Sequence, residues 1–118
     1  MFTQFGFFSV VCKGGKMQVR ARNRAHLVAL VKRCEQLQGT EKWVIFSTPK
    51  NDYGWRIEIT RAQWVAVAAL LAEEIDWGNF KDRCAKSGVD SRYVRVLHRV
   101  WEKMFDYQSG VRFTAGVR

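Results

Sequence analysis

Arg92, Arg95, Arg99 and Lys103 stand at positions i, i+3, i+7 and i+11. On a helix that spacing gathers all four on one face as a continuous cationic stripe. Upstream, Arg20 and Arg22 lie two residues apart in MQVRAR, which on a strand points both to the same side. Arg56, in WRIEI, has the parity to join them if Trp55, Ile57 and Ile59 turn inward. Arginine dominates both groups, and its planar fork suits phosphate and base stacking. Lys13 and Lys16 flank Gly14-Gly15 at the tip of a predicted hairpin, where a finger would reach a groove. These nine residues predict a small non-enzymatic domain that binds nucleic acid through phosphate contacts, with little sequence readout. The competing reading is a solvated cationic face without a ligand.

Other chemistries find less support. The strand Met17–Arg22 lacks the aromatic pattern of an RRM, and no GXXG of a KH domain is present. CKGGK lacks the spacing and the following Ser or Thr of a phosphate-cradling Walker loop. Phe5 and Phe7 share one side of a strand and Phe8 the other, and core packing is expected of them rather than base stacking. Two histidines and three scattered cysteines give no metal-ligand spacing, so neither metal nor cofactor is expected. Cys34 falls on an apolar helical stripe and reads as a small core residue. Cys84, near Lys81 and Arg83, is the candidate for a lowered thiol pKa, but it has no evident base beyond His98. A basic ribonuclease using His26 and His98 with the arginines is a third reading. In IDWGNFKDR, Trp77 and Phe80 read as plugs of a turn or, alternatively, as anchors for a protein partner.

Charge is unevenly distributed. Residues 1–34 hold seven bases and no acid, residues 35–77 four bases and seven acids, residues 78–118 nine bases and four acids. Two basic ends therefore flank a mildly acidic middle, which says more about partners than the net +9 does. With 118 residues, 47% of them apolar, the chain can bury a core as one domain. No apolar run approaches the roughly 18 residues of a membrane span, so no membrane partner is expected. MFTQFGFFSVV has neither the basic region nor the cleavage site of a signal peptide. With three cysteines, odd in number and widely spaced, the expectation is a reduced, cytoplasmic protein.

The elements that must carry these residues are legible as local patterns. Phe5–Val11 and Met17–Arg22 predict a first hairpin around CKGGK. Asn23 caps a helix with Leu27, Leu30, Val31, Cys34 and Leu37 inward, and Gly39 stops it. Trp43–Thr48 and Trp55–Ile59 predict a second hairpin around PKNDYG, which holds the only proline. Thr60 and Gln63 match a capping box for a helix from about Arg61 to Ile75. Its run VAVAALLA, with no polar residue, predicts a helix central to the fold, or alternatively one covered by a partner. DWGNFKDRCAKSG predicts a loop with short helical turns, in which Asp76 or Asn79 is a cap. Asp90 or Ser91 starts a last helix to about Tyr107, with Val94, Leu97, Val100, Trp101, Met104 and Phe105 inward. The order is ββαββα plus a C-terminal helix, an α+β domain over 1–109 with a mixed or antiparallel sheet and helices on one face. Residues 110–118 form a loosely held basic tail or a short edge strand.

FGFFSVV, VRAR, DYGWR, IDWGNFKDR and VLHRVW, in that order, resemble a family of short bacterial proteins. In that family FGFFS and VRAR strands precede a DYxxR turn and an ID-aromatic-x-NFK segment. The similarity covers residues 5 to about 105 and departs at Trp77, where tyrosine is the commoner residue. The family carries no assigned activity, so the resemblance implies one intact domain and no site residue. The leading partner is thus RNA or DNA. The alternative is a protein-interaction module, an inhibitor of phage or mobile-element type (anti-CRISPR-like, for example) acting on a protein or nucleoprotein through helix two, Trp77 and Phe80. A homo-oligomer is compatible with either.

Overall fold

The computed structural model describes residues 1–110. It opens on a small hairpin, β1 (Phe2–Thr3) against β2 (Gly6–Phe7), where one continuous strand over Phe5–Val11 is expected. Gly6, at φ +145°, breaks that strand. The Thr3 hydroxyl closes the turn, donating to the Gly6 carbonyl at 2.8 Å and accepting from the Phe5 and Gly6 amides. Phe8 and the half-buried Phe5 join the core as expected, whereas Phe7 pairs with Phe2 at 4.7 Å between ring centres.

The main hairpin follows, β3 (Ser9–Lys13) and β4 (Lys16–Ala21), closed by Gly14 and Gly15 at φ 58° and 78°. Both central residues have positive φ, which suits the twist of a two-residue hairpin turn. Along β4, Met17, Val19 and Ala21 are buried while Gln18 and Arg20 face the other way, as the alternation predicts. Helix α1 (Arg24–Arg33) starts at Asn23, whose side chain accepts from the Ala25 amide at 2.9 Å. It ends at Cys34 rather than at Gly39. Gly39, at φ 88°, instead opens a 3-10 turn over Thr40–Lys42.

The second hairpin is shorter than expected. Strand β5 keeps only Phe46–Ser47 and pairs with β6 (Trp55–Ile59), which also pairs along its full length with β4. The sheet is antiparallel throughout, in the order β3-β4-β6-β5. Helix α2 (Arg61–Glu73) carries the expected capping box, with Thr60 accepting from the Gln63 amide at 3.1 Å and Gln63 from the Thr60 amide at 2.8 Å. Leu27 and Leu30 of α1 and Val67 of α2 meet Val19, Ile57 and Ile59 in one core, so both helices cover the same face of the sheet. Arg33 ties α1 to α2 through Glu74 at 2.9 Å. The VAVAALLA run is less central than expected: Val67 is buried, Leu70 and Leu71 are half-buried, and Val65 is 59% exposed.

Two compact units divide the chain, Met1–Gly78 and Asn79–Arg118. In the second, α3 (Phe80–Lys86) is capped by Asn79 and α4 (Ser91–Ser109) by Asp90, each through a side-chain oxygen that accepts from a backbone amide. Tyr93 and Leu97 of α4 are buried, and so is Cys84 of α3. Trp101, Met104 and Phe105, expected inward, are 53%, 59% and 50% exposed. Length explains the difference, because α3 spans about 10 Å and α4 about 28 Å. Trp101 and Phe105 stack on each other at 5.4 Å, with the Lys81 ammonium 4.6 Å over the Trp101 ring. The architecture is α+β, with the expected order ββαββα followed by a helical finish. Beyond Gly110, the basic tail lies outside the described residues.

Candidate nucleic-acid interface

The face of the sheet turned away from α1 and α2 is built by register. Ser9 stands opposite Arg20, Arg20 opposite Arg56, and Arg56 opposite Phe46, so one row crosses all four strands. The next row is Val11, Gln18 and Glu58, and the last is Lys13 with Lys16. Two arginines are thus directly opposed in register, a pairing that like-charge repulsion makes unfavourable in an antiparallel pair.

Hydrogen bonds hold the row in place. Arg20 Nη2 donates to Ser9 Oγ at 2.6 Å, and Arg56 Nη1 donates to Gln18 Oε1 at 2.9 Å. Gln18 Nε2 in turn donates to Glu58 Oε2 at 2.9 Å. Arg56 Nε donates to Thr48 Oγ1 at 3.2 Å, and the Thr48 hydroxyl donates to the Tyr53 carbonyl at 2.6 Å. The parity expected of Arg56 is therefore present, but Arg56 is 6% exposed. Its role is to fix the row and add buried charge, while Arg20, half-buried, and Arg22, exposed, meet solvent.

Tyr53 completes the site. The Arg20 and Arg22 guanidinium carbons lie 4.6 and 4.2 Å from its ring centre. Both distances are within cation–π range, and the ring fixes two flexible side chains side by side. Arg20 Nε is buried without a hydrogen-bond partner. Among the described residues no carboxylate forms an ion pair with Arg20, Arg22 or Arg56. A cationic pair with no ion-paired carboxylate among the described residues makes this part of the face electropositive.

Lys13 and Lys16 are exposed on the same face, but they do not cap a finger. The last β4–β6 pair is Met17 with Ile59, so the hairpin runs past β6 by the single pair Lys13–Lys16. Of the seven bases in the acid-free N-terminal run, four lie on this face, whereas Arg33 is taken up by Glu74. Arg92, Arg95, Arg99 and Lys103 are all exposed on α4 and form a separate basic surface of the second unit. Trp77 closes the first unit and Phe80 opens α3, and both are half-buried.

Tyr53, Phe46, Ser9, Gln18 and Thr48 belong to this candidate site without being named as candidates by charge or periodicity in the sequence. Tyr53 sits in a turn, where strand parity says nothing about direction. Ser9 and Phe46 are placed on this face by the pairing register, which depends on distant strands.

The remaining chemical candidates are placed just as definitely. Burial pushes the thiols of Cys34 and Cys84 up to about 11 each, so the lowering expected at Cys84 from Lys81 and Arg83 is overturned by desolvation. Cys34 is a core residue, as its helical spacing predicts. Only Cys12 among the three is exposed. Ellman's reagent is therefore expected to titrate one thiol rapidly in the native protein and three after denaturation. The same shifts set a pH dependence. The unfolded chain releases these protons near pH 9 and the folded chain near 11, so stability is intact below 9 and falls as pH rises between them. His26 is buried against Gly6, which gives it a packing role, while His98 on α4 is exposed. A mainly apolar pocket of about 210 Å³, lined by Leu37, Gln38, Trp43, Ala62, Gln63 and Ala66, is smaller than small-molecule sites usually are. Among the described residues no cluster of His, Cys, Asp and Glu could hold a metal, and no helix is long and apolar enough to cross a membrane.

Comparison of the chain with protein-family models, with curated proteins and with solved structures finds no match.

Proposed function

We propose that this protein binds nucleic acid through phosphate contacts on the open face of its sheet, with Arg20 and Arg22 as the principal contacts and Lys13 and Lys16 extending them. The observation that carries the reading is the pairing of Arg20 and Arg22 on the Tyr53 ring, next to the buried Arg56, with no carboxylate in ion-pair reach among the described residues. Holding three like charges together costs free energy, and a bound phosphate reverses the sign of that cost. Arg92, Arg95, Arg99 and Lys103 supply a second basic surface of the same character. The binding is non-enzymatic, and specificity for base sequence is low, because backbone contacts carry no sequence information.

The test is an anisotropy titration of labelled oligonucleotides at several salt concentrations, since phosphate contacts release counterions and lose affinity steeply with salt. A second reading has its own observation. The exposed, stacked Trp101 and Phe105 with Met104 beside them form an apolar patch of the kind that protein partners cover. An interface formed there would respond weakly to salt, which separates the two readings in one experiment.

A further inference from the structure

We infer that the nucleic acid taken by the open face is single-stranded: a phosphate sits on Arg20 and Arg22, and neighbouring bases stack on the Tyr53–guanidinium layer and on Phe46. This rests on the nucleic-acid reading above and deepens it.

Three features of the face point the same way. The first is width. The row Ser9–Arg20–Arg56–Phe46 crosses three strand spacings, about 14 Å before side chains are added. A major groove about 12 Å wide admits a helix or a two-stranded ribbon, but not the face of a four-stranded sheet. The second is the hairpin tip. With a single residue pair beyond β6, β3 and β4 do not project as a ribbon that could enter a groove on their own. Duplex would meet this face only along its phosphate ridge.

The third feature is the aromatic content. Tyr53 and Phe46 are half-buried, and Phe46 shares the open face with Arg20 by register instead of packing into the core. Rings and guanidinium planes on a solvent-facing sheet are stacking surfaces for bases, and only an unpaired strand can turn its bases toward them. The Arg20–Tyr53–Arg22 contacts pre-set these planes, so little side-chain freedom remains to be lost on binding. Ribose and deoxyribose strands share this phosphate-and-base chemistry.

The test uses labelled oligo-U and oligo-dT of about a dozen nucleotides, within the usual span of one single-strand site, and mixed-sequence duplex RNA and DNA of equal length. All are titrated at the same low salt. The expected result is single-strand affinity at least about tenfold above duplex, the margin one stacked base provides. Tyr53→Ala removes that margin and leaves duplex affinity within about twofold, whereas Tyr53→Phe keeps it. If Tyr53→Ala does not fold by near-UV circular dichroism, Phe46→Ala, at the second stacking ring, narrows the margin in its place. Duplex binding as tight as single-strand binding overturns this inference and leaves the nucleic-acid reading standing. So does a margin that Tyr53→Ala, or in its place Phe46→Ala, does not change. Absence of salt-sensitive binding to all four probes overturns the nucleic-acid reading and this inference with it.

Discussion

Replacing Arg20 and Arg22 together by glutamate is expected to lower oligonucleotide affinity by at least about a hundredfold at low salt. Each charge-assisted hydrogen bond contributes about 1.5–3 kcal/mol, and losing one from each arginine amounts to two to four powers of ten. The substitution also places a carboxylate at position 20, directly across the strand pair from the buried Arg56, which would then have a counter-charge within the protein. That second effect distinguishes the account from a general loss of positive charge. The variant is expected to remain folded, because Arg22 is exposed and the Arg20–Arg56 repulsion has been removed. Reversing Arg92 and Arg99 on α4 removes the same formal charge, and a smaller loss is expected there because, among the described residues, only Arg20 and Arg22 are held together on an aromatic ring. Anisotropy titrations of the two double variants side by side make the comparison. Equal losses would mean that net charge, not the Tyr53 seat, governs binding.

Gly6→Ala is expected to destabilise the fold by about 2–6 kcal/mol, combining about 1–3 kcal/mol of backbone strain with a comparable overpacking cost. Gly6 has φ +145°, a region that side-chain-bearing residues rarely enter. A Cβ built there also meets the His26 ring and lies 2.6 Å from His26 Cβ. His26 is in the first turn of α1, so the clash wedges the small hairpin off the helix that covers the core. The unfolding temperature should fall by roughly 10–25 °C for a chain of this size. Adding His26→Ala to Gly6→Ala should recover the packing part and leave the backbone part, a coupling that a double-mutant cycle reads directly. No measurable destabilisation would contradict the placement of Gly6 over α1.

The two predictions also show which parts of the molecule are legible in sequence. Caps are short-range, so Asn23 and Thr60 with Gln63 are readable from a few neighbouring residues, while Asn79 and Asp90 are each one of two neighbouring candidates that the structure decides between. The face alternation of β4 was equally plain, and with it the side chosen by Arg20. Features that depend on distant partners were not. Gly6 breaks the expected first strand because of a backbone angle tied to His26, twenty residues on. The parity of Arg56 was readable, but its burial depends on Gln18 and Thr48 reaching it from other segments. Helical periodicity marks Trp101, Met104 and Phe105 as one apolar face of α4, yet a period cannot say whether anything covers that face. At Cys84 the neighbouring bases suggested a lowered thiol pKa, and burial, invisible locally, reversed the direction.

One measurement tests the central claim most directly: the slope of log affinity against log salt for a single-stranded oligonucleotide. With Arg20, Arg22, Lys13 and Lys16 each neutralising a phosphate, the predicted slope is about −3, and affinity falls about fiftyfold between roughly 50 and 200 mM salt. A slope near zero, or no binding at the lowest salt, would contradict the account and leave the acid-free N-terminal run as a solvated surface.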